Sequence, residues 1–89
     1  MIAVDTNVLV YAHRKDNEWH DAAAAVIKKI AENPGAWAIP WPCVHEFFAI
    51  VTHPRIYCPA STREEALNQL QLWWQSPSLV MLAEQEGYA

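Results

Sequence analysis

Glycine and cysteine each occur only twice in 89 residues. So little glycine excludes a collagenous or low-complexity chain, and a hydrophobic share of 53% excludes disorder. Cys43 and Cys58 stand apart with no second pair, which excludes a disulfide scaffold and a cysteine-based zinc module; they read as reduced thiols. Positive charge is also scarce. The six cations (Arg14, Lys15, Lys28, Lys29, Arg55, Arg63) are scattered, and the net charge of −4 argues against non-specific binding to nucleic acid, which depends on cations neutralising phosphates. No apolar run is long enough to span a bilayer, and the chain opens on Met1-Ile2-Ala3-Val4 without a basic leader. A soluble, cytoplasmic protein with no membrane contact is therefore expected.

What the chain does hold is apolar residues in excess. Residues 1–89 suffice for one domain and one core, and the surplus predicts a surface covered by a second copy, a partner or further chain. Ile2 to Val4 reads as a short buried parallel strand, after which Asp5 or Thr6 caps a helix running to Ala12 or His13. Trp19, Ala22, Ala23, Val26, Ile27, Ile30 and Ala31 recur at helical spacing, with Asp16 or Asn17 as the cap and Asn33-Pro34-Gly35 as the stop. Trp37 to Ile39 is a second strand. Pro42 opens a third helix that ends at Thr52 or His53, before Pro54. Ser61 with Glu64 and Thr62 with Glu65 form two overlapping capping boxes. The helix they introduce buries Ala66, Leu67, Leu70, Trp73 and Trp74 and runs to about Gln75, before a third strand, Leu79 to Leu82. Glu84 to Ala89 has the composition of a further helix start. Alternating strands and helices predict an α/β fold: a short parallel sheet, right-handed crossovers, helices on its faces, and ligands at the strands' carboxyl ends.

Two carboxylates stand out by isolation. Asp5 is the only formally charged residue between Met1 and His13, and Glu46 the only one between Asn33 and Pro54. Cys43, Val44, Phe47, Phe48, Ala49, Ile50 and Val51 surround Glu46 on its helix, so a carboxylate buried there has to be neutral, paired or bound to a cation; the alternative is that Asp5 only caps a helix and Glu46 only points out through a gap in the apolar surface. Asp5 ends the first strand, and a neighbouring helix brings Glu46 to the same edge. Oxygen ligands of this kind suit Mg²⁺ or Mn²⁺, hard ions that bind phosphates and activate water for phosphodiester hydrolysis. Asn7 and Thr6 either orient Asp5 or water or simply serve the helix start. Arg14 and Lys15, after the first helix, either reach a phosphate near Asp5 or are plain solvated charges.

Val4-Asp5-Thr6-Asn7-Val8-Leu9-Val10-Tyr11-Ala12 resembles the opening strand and helix of PIN domains, and Pro42-Cys43-Val44-His45-Glu46-Phe47-Phe48 resembles their second acidic motif. Thr52-His53-Pro54-Arg55-Ile56-Tyr57 and the capped helix after it resemble the VapC toxin subgroup, so the likeness covers essentially the whole chain. It implies a PIN-like fold truncated after the third strand. It also implies a toxin-type endoribonuclease using Mg²⁺ or Mn²⁺, an RNA substrate, a cognate VapB-type antitoxin and a homodimer. Carried over by position, Asp5 and Glu46 are the first two catalytic, metal-holding acids and Asn7 the polar residue beside the first. The family's later acids have no counterpart; Glu84 and Glu86 come one helix too early and read as first-turn residues. Impaired cleavage is thus one expectation, and an inactive fragment that binds antitoxin or dimerises is the alternative.

Other chemistries fit less well. A zinc protease needs a second His four residues after His45, where Ala49 stands. An Asp-initiated phosphatase needs a second acid where Asn7 stands. His13, His20, His45 and His53 share no ligand spacing, and the five tryptophans have no interleaved basic residues, so base stacking is not their expected role.

Overall fold

The computed structural model describes residues 1–83. Three strands, β1 (Ile2–Ala3), β2 (Trp37–Pro40) and β3 (Leu79–Leu82), alternate with four helices, α1 (Thr6–His13), α2 (His20–Glu32), α3 (Trp41–Val51) and α4 (Arg63–Trp74). The sheet is parallel throughout in the order β1-β2-β3, with Ile2 opposite Trp37 and Trp37 opposite Leu79. This is the α/β architecture expected from the sequence, consistent with a PIN-like fold. The stretch that reads as a further helix start, Glu84 to Ala89, lies outside the described residues.

Burial follows position in the sheet. Successive strand residues point to opposite faces, so the complete burial of Trp37, Ala38 and Ile39 means that both faces of β2 are covered. The two outer strands are more exposed: Ile2 and Val80 both reach solvent. Trp37 satisfies its indole N–H by donating to Ser76 Oγ at 3.0 Å, which ties the central strand to the turn before β3. Around β2 gather Val4, Leu9 and Val10 near the start, Ile27 of α2, Val44, Phe47 and Val51 of α3, and Ala66, Leu70 and Trp73 of α4. The α3 and α4 sets repeat at three- and four-residue spacing, the stripe that a helix turns toward one neighbour.

Several sequence expectations are corrected at the element edges. The α2 stripe is narrower than its pattern suggests: Ala23 and Ile27 are buried, whereas Trp19, Ala22 and Val26 are exposed. Neither Asp16 nor Asn17 caps α2. Its N-cap is Trp19, which has no side-chain cap bond; Asn17 instead accepts the Trp19 N–H at 2.8 Å, and Asp16 pairs with Arg14. On α4, Leu67 and Trp74 point outward while Trp73 enters the core. Trp74 packs against Trp41 of α3 with ring centroids 6.1 Å apart, giving two partly exposed indoles one shared contact.

Of the two overlapping capping boxes, the fold uses the second. Thr62 Oγ1 accepts the Glu65 N–H at 3.0 Å, and the Glu65 carboxylate accepts the Thr62 N–H at 2.9 Å, a bond that holds the Glu65 carboxyl below the usual glutamate range. Ser61 is released for another task and is buried. Thr62→Ala removes one half of this reciprocal pair; a loss of about 1 kcal/mol is expected, read as a lower urea midpoint with an unchanged slope.

Candidate functional site

Asp5 lies where β1 has ended and α1 begins. Its backbone is extended, at φ −86° and ψ 172°, and its carboxylate Oδ1 accepts the Val8 N–H at 3.1 Å, so it is the N-cap of α1. Capping fixes the carboxylate through one oxygen and leaves Oδ2 outside that bond. Thr6, the first residue of α1, is buried, and its hydroxyl donates to Glu46 Oε2 at 3.1 Å across 40 positions of sequence. The first turn of α1 thereby carries one carboxylate and touches the other.

Asp5, Thr6, Asn7, Cys43, Glu46 and Ile50 line one open depression of about 320 Å³. The sequence reading brought Asp5, Thr6, Asn7 and Glu46 to one edge, and they meet there. It missed Cys43 and Ile50, although the signal was present: positions 43, 46 and 50 are three and four apart and share the α3 face turned toward α1. The structure chooses between the two readings of Glu46. Glu46 is exposed, because α3 buries only Val44, Phe47 and Val51, and the apolar residues on either side of Glu46 do not close over it. Its side chain lines the depression together with that of Asp5.

Arg14 and Lys15 do not join this group. They follow α1 at its far end, about 13 Å from Asp5 at ~1.5 Å of rise per residue. Arg14 is neither a free phosphate ligand nor a solvated charge. It is buried, donates from Nε and Nη2 to Asp16 at 3.0 and 2.7 Å, from Nη1 to Ser61 Oγ at 3.1 Å and from Nη2 to the Pro59 carbonyl at 2.9 Å, and lies 4.4 Å from the centroid of the Tyr57 ring. Lys15 is exposed and borders a separate polar cavity with His13, Ser61 and Gln69.

The electrostatics of the depression are one-sided. Among the described residues two carboxylates line it and no cation does. Its hard oxygen donors, two carboxylates and the Asn7 amide, fit Mg²⁺ or Mn²⁺, which commonly take one or two protein carboxylates and retain several waters. Among the described residues no group of three or more His, Cys, Asp or Glu side chains is placed to hold a metal, so the fit is that of a two-carboxylate, water-rich site.

No protein-family profile matches the chain. Curated proteins do. Ribonuclease VapC48 of Mycobacterium tuberculosis is 25% identical over 84 residues, which are 94% of this chain and 58% of that protein. Ribonuclease VapC43 of the same species and VapC ribonuclease Mb2897 of Mycobacterium bovis are each 27% identical over 88 residues, 99% of this chain and 60% of theirs. The likeness to VapC ribonucleases thus extends over nearly all of the chain, which spans about 60% of their length.

Proposed function

We propose that this chain carries the first part of a metal-dependent endoribonuclease site of the toxin–antitoxin type. The observation that carries the reading is the Thr6–Glu46 hydrogen bond, which brings the two acidic motifs of the sequence into one depression. Similarity to proteins named as VapC ribonucleases supports RNA as the substrate; a VapB-type antitoxin as partner, a homodimer and a cytoplasmic location belong to the same proposal. Among the described residues no helix is long and apolar enough to cross a membrane.

In this reading Asp5 and Glu46 hold the ion, and Asn7 orients either Asp5 or a water. The ion, when bound, supplies activated water and neutralises charge developing on the phosphoryl oxygen. The protein's own part is to keep the carboxylates fixed and open to an RNA phosphate, which the capped position of Asp5 and the exposure of Glu46 favour. Two acids hold an ion less firmly than a fuller ligand set, so cleavage by this chain alone is reduced.

The test is cleavage of a mixed single-stranded RNA by the 89-residue protein with Mn²⁺, with EDTA, and as Asp5→Asn. Weak Mn²⁺-dependent cutting is expected, with a loss of 100-fold or more, on the order of what one electrostatic stabiliser contributes, in the variant. Equal cutting by wild type and variant would remove Asp5 from the chemistry. A second reading, a non-cleaving module that binds antitoxin or a second copy, is favoured by the exposed Trp41, Leu67 and Trp74 on α3 and α4. It predicts no cutting by a well-folded sample and partner binding that survives Asp5→Asn.

A further inference from the structure

Thr6 occupies an unusual position for a threonine hydroxyl. Inside a helix, such a hydroxyl commonly bonds back to a carbonyl one turn earlier. As the first residue of α1, Thr6 has no preceding helical turn, and its side chain is buried with its hydroxyl pointing across to α3. The acceptor it meets there is Glu46 Oε2, at 3.1 Å.

The other end of this bond explains why it matters. Glu46 is exposed and long, with three side-chain torsions that water leaves free to sample several rotamers. Asp5 has no such freedom, because its Oδ1 is fixed by the Val8 N–H. Thr6 gives Glu46 the equivalent restraint from the same helical turn: one oxygen of each carboxylate is held by a donor of α1, and Asp5 Oδ2 and Glu46 Oε1 lie outside those two bonds.

We infer that Thr6 is the positioning residue of the site, acting on the divalent cation through Glu46 and not by touching the cation itself. The inference rests on the reading that Asp5 and Glu46 hold the ion. Donors that orient a metal-holding side chain contribute about 10–100-fold in metal affinity. Thr6→Val preserves the branched shape and removes the hydroxyl, Thr6→Ala removes both, and Thr6→Ser keeps the hydroxyl alone.

The experiment is a titration with Mn²⁺ alone, free ion followed by electron paramagnetic resonance, on the 89-residue wild type, the three Thr6 variants and Glu46→Gln. Side-chain scalar couplings of Glu46 are measured by NMR on the same proteins without metal. The expected result is Mn²⁺ affinity about tenfold weaker in Thr6→Val and Thr6→Ala, near wild type in Thr6→Ser and lost in Glu46→Gln. Glu46 couplings should average toward free rotation only where the hydroxyl is gone. If one of the two hydroxyl-free variants does not fold, the other carries the comparison. Wild-type affinity and couplings in a folded hydroxyl-free variant, with binding still lost in Glu46→Gln, would overturn the role of Thr6 and leave the metal reading standing. Equal Mn²⁺ binding by wild type and Glu46→Gln would overturn both.

Discussion

Phe47→Ala is expected to remove about 3–5 kcal/mol of stability, the usual cost of truncating a buried aromatic. Phe47 is fully buried in α3, with ring centroids 5.3 Å from Trp73 of α4 and 5.4 Å from His13 at the end of α1, in edge-to-face arrangements at both contacts. No other ring links those three helices in this way among the described residues. A chain of 89 residues has about 4–13 kcal/mol of stability in total at ~0.05–0.15 per residue, so the truncation consumes a large share of it. Urea unfolding followed by tryptophan fluorescence checks this directly. A midpoint within error of wild type would mean that the cavity collapses and that the ring contacts carry little.

Arg14→Met is expected to cost about 3 kcal/mol, for a different reason. Methionine fills much of the same space, so the loss is of charged hydrogen bonds rather than volume, and bonds to charged groups contribute about 1.5–3 kcal/mol each. The buried Ser61 hydroxyl and the Pro59 carbonyl lose their guanidinium donor, and Tyr57 loses the cation over its face. Ser61 keeps His13 Nε2 at 2.9 Å, which limits the damage. The Asp16 share of the network is exposed and worth little, yet it has a clear pH signature. The Arg14 hydrogen bond holds the Asp16 carboxyl below its ordinary value of 3.8, so its contribution is present above that pH and is lost as pH falls through the lower folded value. Wild type and Asp16→Asn should therefore differ in urea midpoint at neutral pH and converge in acid; a gap that widened in acid would reverse the assigned direction.

The contrast between Arg14 and Glu46 shows where sequence reasoning reached its limit. Element order, the cap at Asp5 and the ends of α3 were legible because each is marked by residues adjacent in the chain, and the parallel sheet because strands alternate with helices. For Glu46 both burial and exposure stayed open, because its neighbours Cys43, Phe48, Ala49 and Ile50 are apolar and a run of letters does not say how many layers cover a helix. Only Val44, Phe47 and Val51 of α3 are fully buried. Arg14 was misread, as a phosphate ligand or a solvated charge. Its partners, Tyr57, Pro59 and Ser61, lie more than forty residues away in a segment without regular structure, and nothing local marks a guanidinium destined for burial. Ser61 and Thr62 illustrate the same point at short range: both offered a capping box, and the distant His13 and Arg14 decided which was used.

The parallel sheet also dictates when the acidic depression comes into being. Ile2 meets Trp37 and Trp37 meets Leu79, pairings that skip 35 and 42 positions, and the Thr6–Glu46 bond skips 40. Each needs a long loop to close before any contact rewards it, which is the slow part of building such a chain. A ribosome must therefore release α3 in full before Asp5 has a neighbour, and no peptide cut from either motif can reproduce the pair. A loosened or half-folded chain keeps both carboxylates and has no site.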